Sequence, residues 1–449
     1  MRVYSRHFWE KVLELARRRA RWLVRPPQVR GAVPRMYPGA LRLGDEEEEA
    51  AVAAVREVIR SKKLFRYIGT SVNPLQRSHV REFERAFALR AGAEHALAVN
   101  SGGSALVCAL VGLGIGPGDE VIVPGYTWVS TASAVIAVGA VPIIAEVDDS
   151  LNLDPLDVAR RITPQTRAII AVHMRGAPAQ LDELTQLARR HGVFLVEDVA
   201  QALGGEFRGR MLGSIGDVGT YSFQMSKILT AGEGGLVVTS DTNTYRRAFM
   251  YHDSAACVHA GVTSEEWLAG VNLRMSELHA AVLMVQWTRL DGLLADMRAR
   301  KAHIKDAIRA PLASRGVKLR TVHDAAGDAA TALVFFLPDA SRVQAVVKAL
   351  GDENVPATRL YQDLELLPHD HIDLHVYTAW APILQKRAWS PAGEPWRHHP
   401  REVSYAPDMC PATLDLLRRA VHIDVSPDMS PVQAEQMSAA IATIVERML

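Results

Sequence analysis

Phe194-Leu195-Val196-Glu197-Asp198-Val199-Ala200-Gln201-Ala202 is a short apolar run that ends on a carboxylate. At the carboxyl end of a buried parallel strand, such a group points into the ligand crevice of an open α/β sheet, where an unpaired charge is costly. Asp198 therefore calls for a cationic partner, unless it only caps the helix that follows. Outward from this run, Ala96-Leu97-Ala98-Val99, Val121-Ile122-Val123, Val141-Pro142-Ile143-Ile144 and Ala168-Ile169-Ile170-Ala171-Val172 read as further strands. They alternate with helical stretches such as Leu181 to His191, which implies right-handed βαβ units. Strands at Gly219 to Phe223 and Leu236 to Val238 complete a mixed sheet with helices on both faces.

A second stretch supplies an amine: Tyr221-Ser222-Phe223-Gln224-Met225-Ser226-Lys227-Ile228-Leu229-Thr230-Ala231-Gly232-Glu233-Gly234-Gly235. Lys227 stands between two β-like runs and ahead of a glycine-rich turn that lets backbone approach closely. That setting suits a covalent bond to a cofactor aldehyde better than a solvated surface charge. Taken alone, a lysine in a loop or an aspartate at a helix start is usually structural. Taken together, the pair points to pyridoxal phosphate, whose protonated ring nitrogen is the cation Asp198 requires and whose ring acts as an electron sink.

At these residues the chain resembles the DegT/DnrJ/EryC1/StrS family, mostly sugar and cyclitol aminotransferases, from about Tyr37 to the C-terminus. The motifs that carry the likeness are Asn100-Ser101-Gly102-Gly103-Ser104-Ala105-Leu106, Pro124-Gly125-Tyr126-Thr127-Trp128, Glu197-Asp198-Val199-Ala200-Gln201, the Ser222-to-Gly235 stretch and Gly270-Val271-Asn272-Leu273-Arg274-Met275-Ser276. The resemblance implies an α/β protein of transferase fold type I, aspartate aminotransferase-like. A large cofactor domain with a mixed, mostly parallel sheet is expected over residues 37–300. A smaller C-terminal α+β domain is expected over 301–449, and residues 1–36 form a basic extension.

The resemblance also assigns roles residue by residue. Lys227 is the cofactor anchor and catalytic base, Asp198 the partner of the ring nitrogen, Trp128 the aromatic stacked on the ring, and Gln201 the group at its phenolic oxygen. Gly103, Ser104 and Ser222 hold the phosphate at a helix N-terminus. Relatives usually carry threonine where this chain has Gly103, so the amides of Gly103 and Ser104 and the hydroxyls of Ser104 and Ser222 are left for that task. Asn272 reaches the phosphate of the partner subunit, which makes the protein a homodimer with shared sites; read from the sequence alone it is a turn asparagine. Tyr67, His173 and Arg175 fall where relatives contact cofactor or substrate, with capping or core roles as the alternative for the last two. Core packing and a helix surface are the corresponding alternatives for Trp128 and Gln201.

Composition narrows the class further. A chain of 449 residues with 48% hydrophobic content and a formal net charge of +1 can bury a large core and lacks the basic excess of a general nucleic-acid binder. Three scattered cysteines, Cys108, Cys257 and Cys410, form neither a disulfide framework nor a zinc pattern, so a reducing cytoplasm is expected. No run approaches the roughly 20 apolar residues of a membrane helix. Phe8, Trp9, Val12, Leu15 and Ala16 recur at helical spacing beside Arg17-Arg18-Arg19, so a basic amphipathic helix is expected over residues 7–23, packed on the protein's own surface. The acidic cluster from Asp45 to Glu49 opens a helix rather than a metal site. His369, His371, His375, His398 and His399 lie in loop-like, proline-rich sequence without metal-ligand spacing, and are read as solvated histidines. One long helix is expected from Met275 to Arg300.

The expected chemistry is transfer of an amino group from L-glutamate or L-glutamine to a keto group on a sugar or cyclitol, in antibiotic or cell-surface sugar synthesis. Val376-Tyr377-Thr378-Ala379-Trp380 resembles a subgroup that includes amino-octulosonate transaminases, which points to an unusual keto-sugar. An aromatising or eliminating synthase of the same fold is the first alternative; family dehydratases typically place histidine at position 227, against which Lys227 argues. A catalytically silent scaffold is the second.

Overall fold

The computed structural model describes residues 43–67, 77–361 and 372–449. The basic helix expected over 7–23, Tyr37, His369 and His371 lie outside the described residues.

Seven strands build the main sheet: β1 (His95–Val99), β2 (Glu120–Pro124), β3 (Val141–Ala145), β4 (Thr166–Val172), β5 (Phe194–Asp198), then, after the two-residue strands β6 (Glu206–Phe207) and β7 (Arg210–Met211), β8 (Val218–Ser222) and β9 (Gly235–Thr239). Their order is β1-β9-β8-β5-β4-β2-β3. The contacts β3–β2–β4–β5–β8 are parallel, whereas β9 runs antiparallel to both β8 and β1. Strands β2, β3, β8 and β9 are buried at every position, which is why they read as continuous apolar runs rather than alternating ones. Because β1, β5 and β8 all point the same way, their carboxyl ends open onto one edge of the sheet, where ligands of such folds bind.

One strand sets the fine geometry of that edge. Gly235 of β9 pairs with Val99 on one side and Ser222 on the other. The turn after β1 and the end of β8 are thereby brought side by side. A side chain at 235 would place its Cβ 2.2 Å from the Ser101 carbonyl oxygen, so only glycine permits this approach.

The single helix expected from Met275 to Arg300 is two helices, Glu277–Trp287 and Leu290–Ser314. At the break the Thr288 hydroxyl takes a helical carbonyl, donating to that of Val285 at 2.9 Å, while the Gln286 side chain turns inward to the backbone of Thr230. The second helix runs straight through residue 300 and packs against the last helix, Pro431–Met448. Beside them lies a second, antiparallel sheet of β10 (Lys318–Leu319), β11 (Ala332–Phe336), β12 (Ala357–Arg359) and β13 (Ala420–Asp424), in the order β10-β11-β13-β12.

Part of the C-terminal third returns to the large sheet. The amides of Thr127 and Val129 donate to the carbonyls of His375 (2.8 Å) and Leu374 (3.1 Å), and the Tyr377 amide donates to Gly125 (3.0 Å). Farther along, the Tyr405 hydroxyl donates to the Pro142 carbonyl at 2.8 Å, and buried Glu120 accepts from Arg401. A division at residue 300 therefore separates the two sheets but not all the chain that packs on each.

Candidate active site

The helix Gly102–Gly112 begins where β1 ends, and Ser101 caps it by accepting from the Ser104 amide at 3.1 Å. The Ser104 hydroxyl donates to Asn100 Oδ1 at 2.6 Å. Both polar groups of Ser104 are thus committed within the turn, and the cavity is lined instead by Ser101, Gly102 and Gly103. The amides of Gly102 and Gly103 belong to the first turn, where a helix offers them no carbonyl and an anion is favoured. Ser222 stands opposite; a Cβ on Gly102 would lie 2.7 Å from that of Ser222. Sequence reasoning found Gly103 and Ser222 but not Ser101, although serine before a glycine-rich helix start is itself an N-cap signal.

Asp198, the last residue of β5, is 5% exposed. Its carboxylate accepts from the Thr131 hydroxyl and the Ala200 amide, both at 3.1 Å. Burial pushes its pKa above the ordinary value, against these two hydrogen bonds and the nearby Lys227 charge. Lys227 sits in the turn that follows β8, its amide donating to the Gln224 carbonyl at 2.9 Å. Desolvation pulls its pKa down; Asp198 opposes this and Arg175 reinforces it. Both side chains line one cavity of about 380 Å³.

That donor set fits pyridoxal phosphate. A buried carboxylate whose hydrogen-bond donors are neutral suits a pyridinium nitrogen, an amine biased toward its neutral form suits an aldehyde, and two helix-start amides facing a hydroxyl suit a phosphate.

Trp128 and Gln201 complete the walls. Trp128 is 44% exposed, which fits a platform awaiting a ring better than a core tryptophan. Gln201 accepts from the Arg175 amide through Oε1 at 3.0 Å, and its Nε2 lies 3.4 Å from His375 Nε2. His375, expected to be solvated, is 12% exposed and lines the cavity, with its ring 5.0 Å from that of Trp128. Nothing in the local sequence signals this, because the pairing of residues 374–377 with 125–129 that puts it there is long-range. His399 is also buried, against Glu120, whereas His398 is exposed.

Four other expected site residues lie outside the lining of this cavity. His173 is fully buried beneath the cavity, its Nε2 3.1 Å from Glu197 Oε2 and its Nδ1 accepting from the Ala179 amide at 3.0 Å. It is a core residue. Burial alone would raise the Glu197 carboxyl, but His173 and the amides of Gly213 and Gly216 hold it below its usual range. Tyr67 lines a separate cavity of about 310 Å³ with Arg66, Glu84 and His259, its hydroxyl 2.8 Å from His252 Nε2; burial, helped by Arg66, pushes His252 down to about 3. Asn272 is exposed and outside the cavity of its own chain. Arg175 lies behind Lys227 in a small space shared with Thr331 and Asp424. Its backbone is held in the left-handed region at φ 52°, and Nε donates to the Tyr126 hydroxyl at 3.3 Å. Among the described residues, no group of His, Cys, Asp and Glu could hold a metal ion, and no helix is long and apolar enough to cross a membrane.

Known proteins are similar to this chain in sequence and in architecture. L-glutamine:2-deoxy-scyllo-inosose aminotransferase from Streptoalloteichus tenebrarius is 37% identical over 322 residues, covering 68% of this chain and 73% of that protein. GDP-perosamine synthase from Caulobacter vibrioides is 40% identical over 217 residues, 48% of this chain and 57% of the relative. Among solved structures, 3-amino-5-hydroxybenzoic acid synthase superposes with a TM-score of 0.72 at 29% identity, covering 92% of this chain and 99% of that one. DesV from S. venezuelae, in complex with a ketimine intermediate, gives 0.71 at 30% identity over 90% and 96% of the two chains. The fold is that of the type I pyridoxal-phosphate-dependent aminotransferases. With the sequence pattern of the DegT/DnrJ/EryC1/StrS aminotransferase family matching residues 45–373, the chain belongs to that family.

Proposed function

We propose that this transaminase holds pyridoxal phosphate on Lys227 and moves an amino group from L-glutamine to the ketone of a cyclitol or keto-sugar. The observation that carries the reading is the pairing of Lys227 and Asp198 across one cavity that also contains a helix N-terminus. The relatives named as L-glutamine:2-deoxy-scyllo-inosose aminotransferases support the donor and the cyclitol class. The exposed carboxylate of Glu233 on the cavity wall supports a neutral acceptor over one bearing a diphosphate, which it would repel.

When bound, pyridoxal phosphate supplies an aldehyde that condenses with amines and a cationic ring that withdraws electrons from the adjacent carbon. The chain does the rest. Asp198 keeps the proton on the ring nitrogen. Trp128 holds the ring plane, and the amides of Gly102 and Gly103 with the Ser222 hydroxyl hold the phosphate. Gln201 donates to the phenolic oxygen. Nζ of Lys227, once released by the donor's amine, would take up the proton from the donor's α-carbon and deliver it to the carbon on the far side of the donor nitrogen. A solvated lysine, with a pKa near 10.4, would be charged and unable to do this; desolvation lowers that barrier. Asn272, exposed on its own chain, serves the site of a second subunit in a homodimer.

The test has two parts. Borohydride treatment of the cofactor-loaded protein should fix a reduced adduct on the peptide containing Lys227, and L-glutamine should convert the bound cofactor to its amine form with release of the 2-oxo acid. Absence of the adduct ends the proposal. The likeness to 3-amino-5-hydroxybenzoate synthase, 42% over 225 residues for the Amycolatopsis mediterranei protein, favours a second reading as an aromatising synthase. An adduct on Lys227 without conversion by glutamine or glutamate supports that reading instead.

A further inference from the structure

The catalytic reading leaves one cavity wall without a task, the wall built by the returning segment. Backbone hydrogen bonds from Thr127 and Val129 to His375 and Leu374 fix that wall against the loop bearing Trp128. His375 is held at both ends of its ring. Nδ1 lies 2.5 Å from Asp373 Oδ1, which also accepts from the His375 amide at 3.0 Å. A carboxylate only accepts, so Nδ1 carries the proton and Nε2 presents a lone pair. That lone pair faces Gln201 Nε2 at 3.4 Å, a long hydrogen bond.

The other end of Gln201 is equally constrained, because Oε1 accepts from the Arg175 amide. The two contacts agree on one orientation of the carboxamide: oxygen toward residue 175, nitrogen toward His375 and the cavity. An amide rotated by half a turn would face oxygen to a lone pair and nitrogen to an N–H. Burial lowers the His375 pKa, with Arg175 and Lys227 adding to the effect and Asp373 opposing it. The imidazole thus stays in the neutral form that can accept.

We propose that His375, oriented by Asp373, is a positioning residue that fixes the carboxamide of Gln201 so that its N–H faces the cofactor, and that buttresses the Trp128 ring from its edge. The proposal rests on the reading that Gln201 donates to the cofactor's phenolic oxygen. It makes the Asp373–His375–Gln201 chain a device that tunes the cofactor's ionisation rather than one that touches the substrate.

Its test uses the full-length protein loaded with pyridoxal phosphate. His375→Phe keeps a ring beside Trp128 but removes the acceptor. Its affinity for pyridoxal phosphate should fall about tenfold, the equivalent of one lost hydrogen bond. The pH midpoint of the bound cofactor's visible absorbance should also shift. His375→Gln, which restores an acceptor oxygen near the Nε2 position, should recover most of both. Asp373→Asn, which releases the tautomer while leaving His375 in place, should move the midpoint in the same direction by less, and it serves if the phenylalanine variant does not fold. Unchanged affinity and midpoint in His375→Phe, or in Asp373→Asn where that variant stands in, overturn the proposal. Failure of the parent protein to form the borohydride adduct on Lys227 would instead sink the cofactor reading on which it rests.

Discussion

Asp198 shows what the site costs the protein before any cofactor arrives. Its hydrogen-bond donors, Thr131 and the Ala200 amide, are neutral, and burial leaves its folded pKa above the unfolded one. A carboxylate raised in this way contributes stability that is full below the unfolded pKa and lost as pH rises through the folded value. At neutral pH the cofactor-free protein therefore carries a buried charge that its two hydrogen bonds and Lys227 only partly offset. Asp198→Asn should raise the melting temperature of the cofactor-free form at pH 7, with the gain shrinking to nothing below the ordinary carboxylate range. Loading with pyridoxal phosphate should stabilise the parent more than the variant. Calorimetry of both forms across pH checks this, and a cofactor-free variant that melts below its parent at pH 7 contradicts it. Asp198 and Lys227 were legible in the sequence because each ends or follows its own strand, and strand ends are set locally. His173, also just beyond a strand end, was left between substrate contact and a core or capping role: its ring is fully buried against Glu197, a placement made by packing that no spacing encodes.

At the scale of elements, the phosphate turn depends on strand β9 more than on the helix it opens. Gly235 lies between Val99 and Ser222, and a Cβ there would collide with the Ser101 backbone. Gly103, by contrast, would bring a Cβ no closer than 3.9 Å to Ser101 Oγ. Gly235→Ala should destabilise the protein by about 1–3 kcal/mol, as overpacking does, and weaken cofactor binding by displacing Ser101 and Gly102. Gly103→Ala, in a regular helix position, should hold or raise stability by up to about 1 kcal/mol. Thermal unfolding of the cofactor-free variants separates the two, and equal losses would show that the turn is not governed by β9. The strands were readable because burial on both faces makes them uniformly apolar. The break between Trp287 and Leu290 was not, since no glycine or proline marks it and what is seen there is a side-chain hydrogen bond from Thr288 to the Val285 carbonyl.

The whole molecule assembles its site from segments 274 residues apart, from Ser101 to His375, and the returning chain after residue 372 could not be assigned to the large sheet from its own composition. Asn272 extends the same logic beyond one chain: it is exposed and does not line the cavity of its own protomer, so its proposed phosphate contact requires a second copy. Mixed dimers decide the matter. Lys227→Ala and Asn272→Ala proteins, carrying different affinity tags, should each be inactive or severely impaired. In a hybrid dimer with residue 272 acting across the interface, one site collects both lesions and the other keeps Lys227 and Asn272 intact. The purified hybrid should then recover activity that neither parent possesses. If Asn272 acts within its own chain, each site of the hybrid carries one lesion, and its activity should not exceed what the Asn272→Ala sites retain.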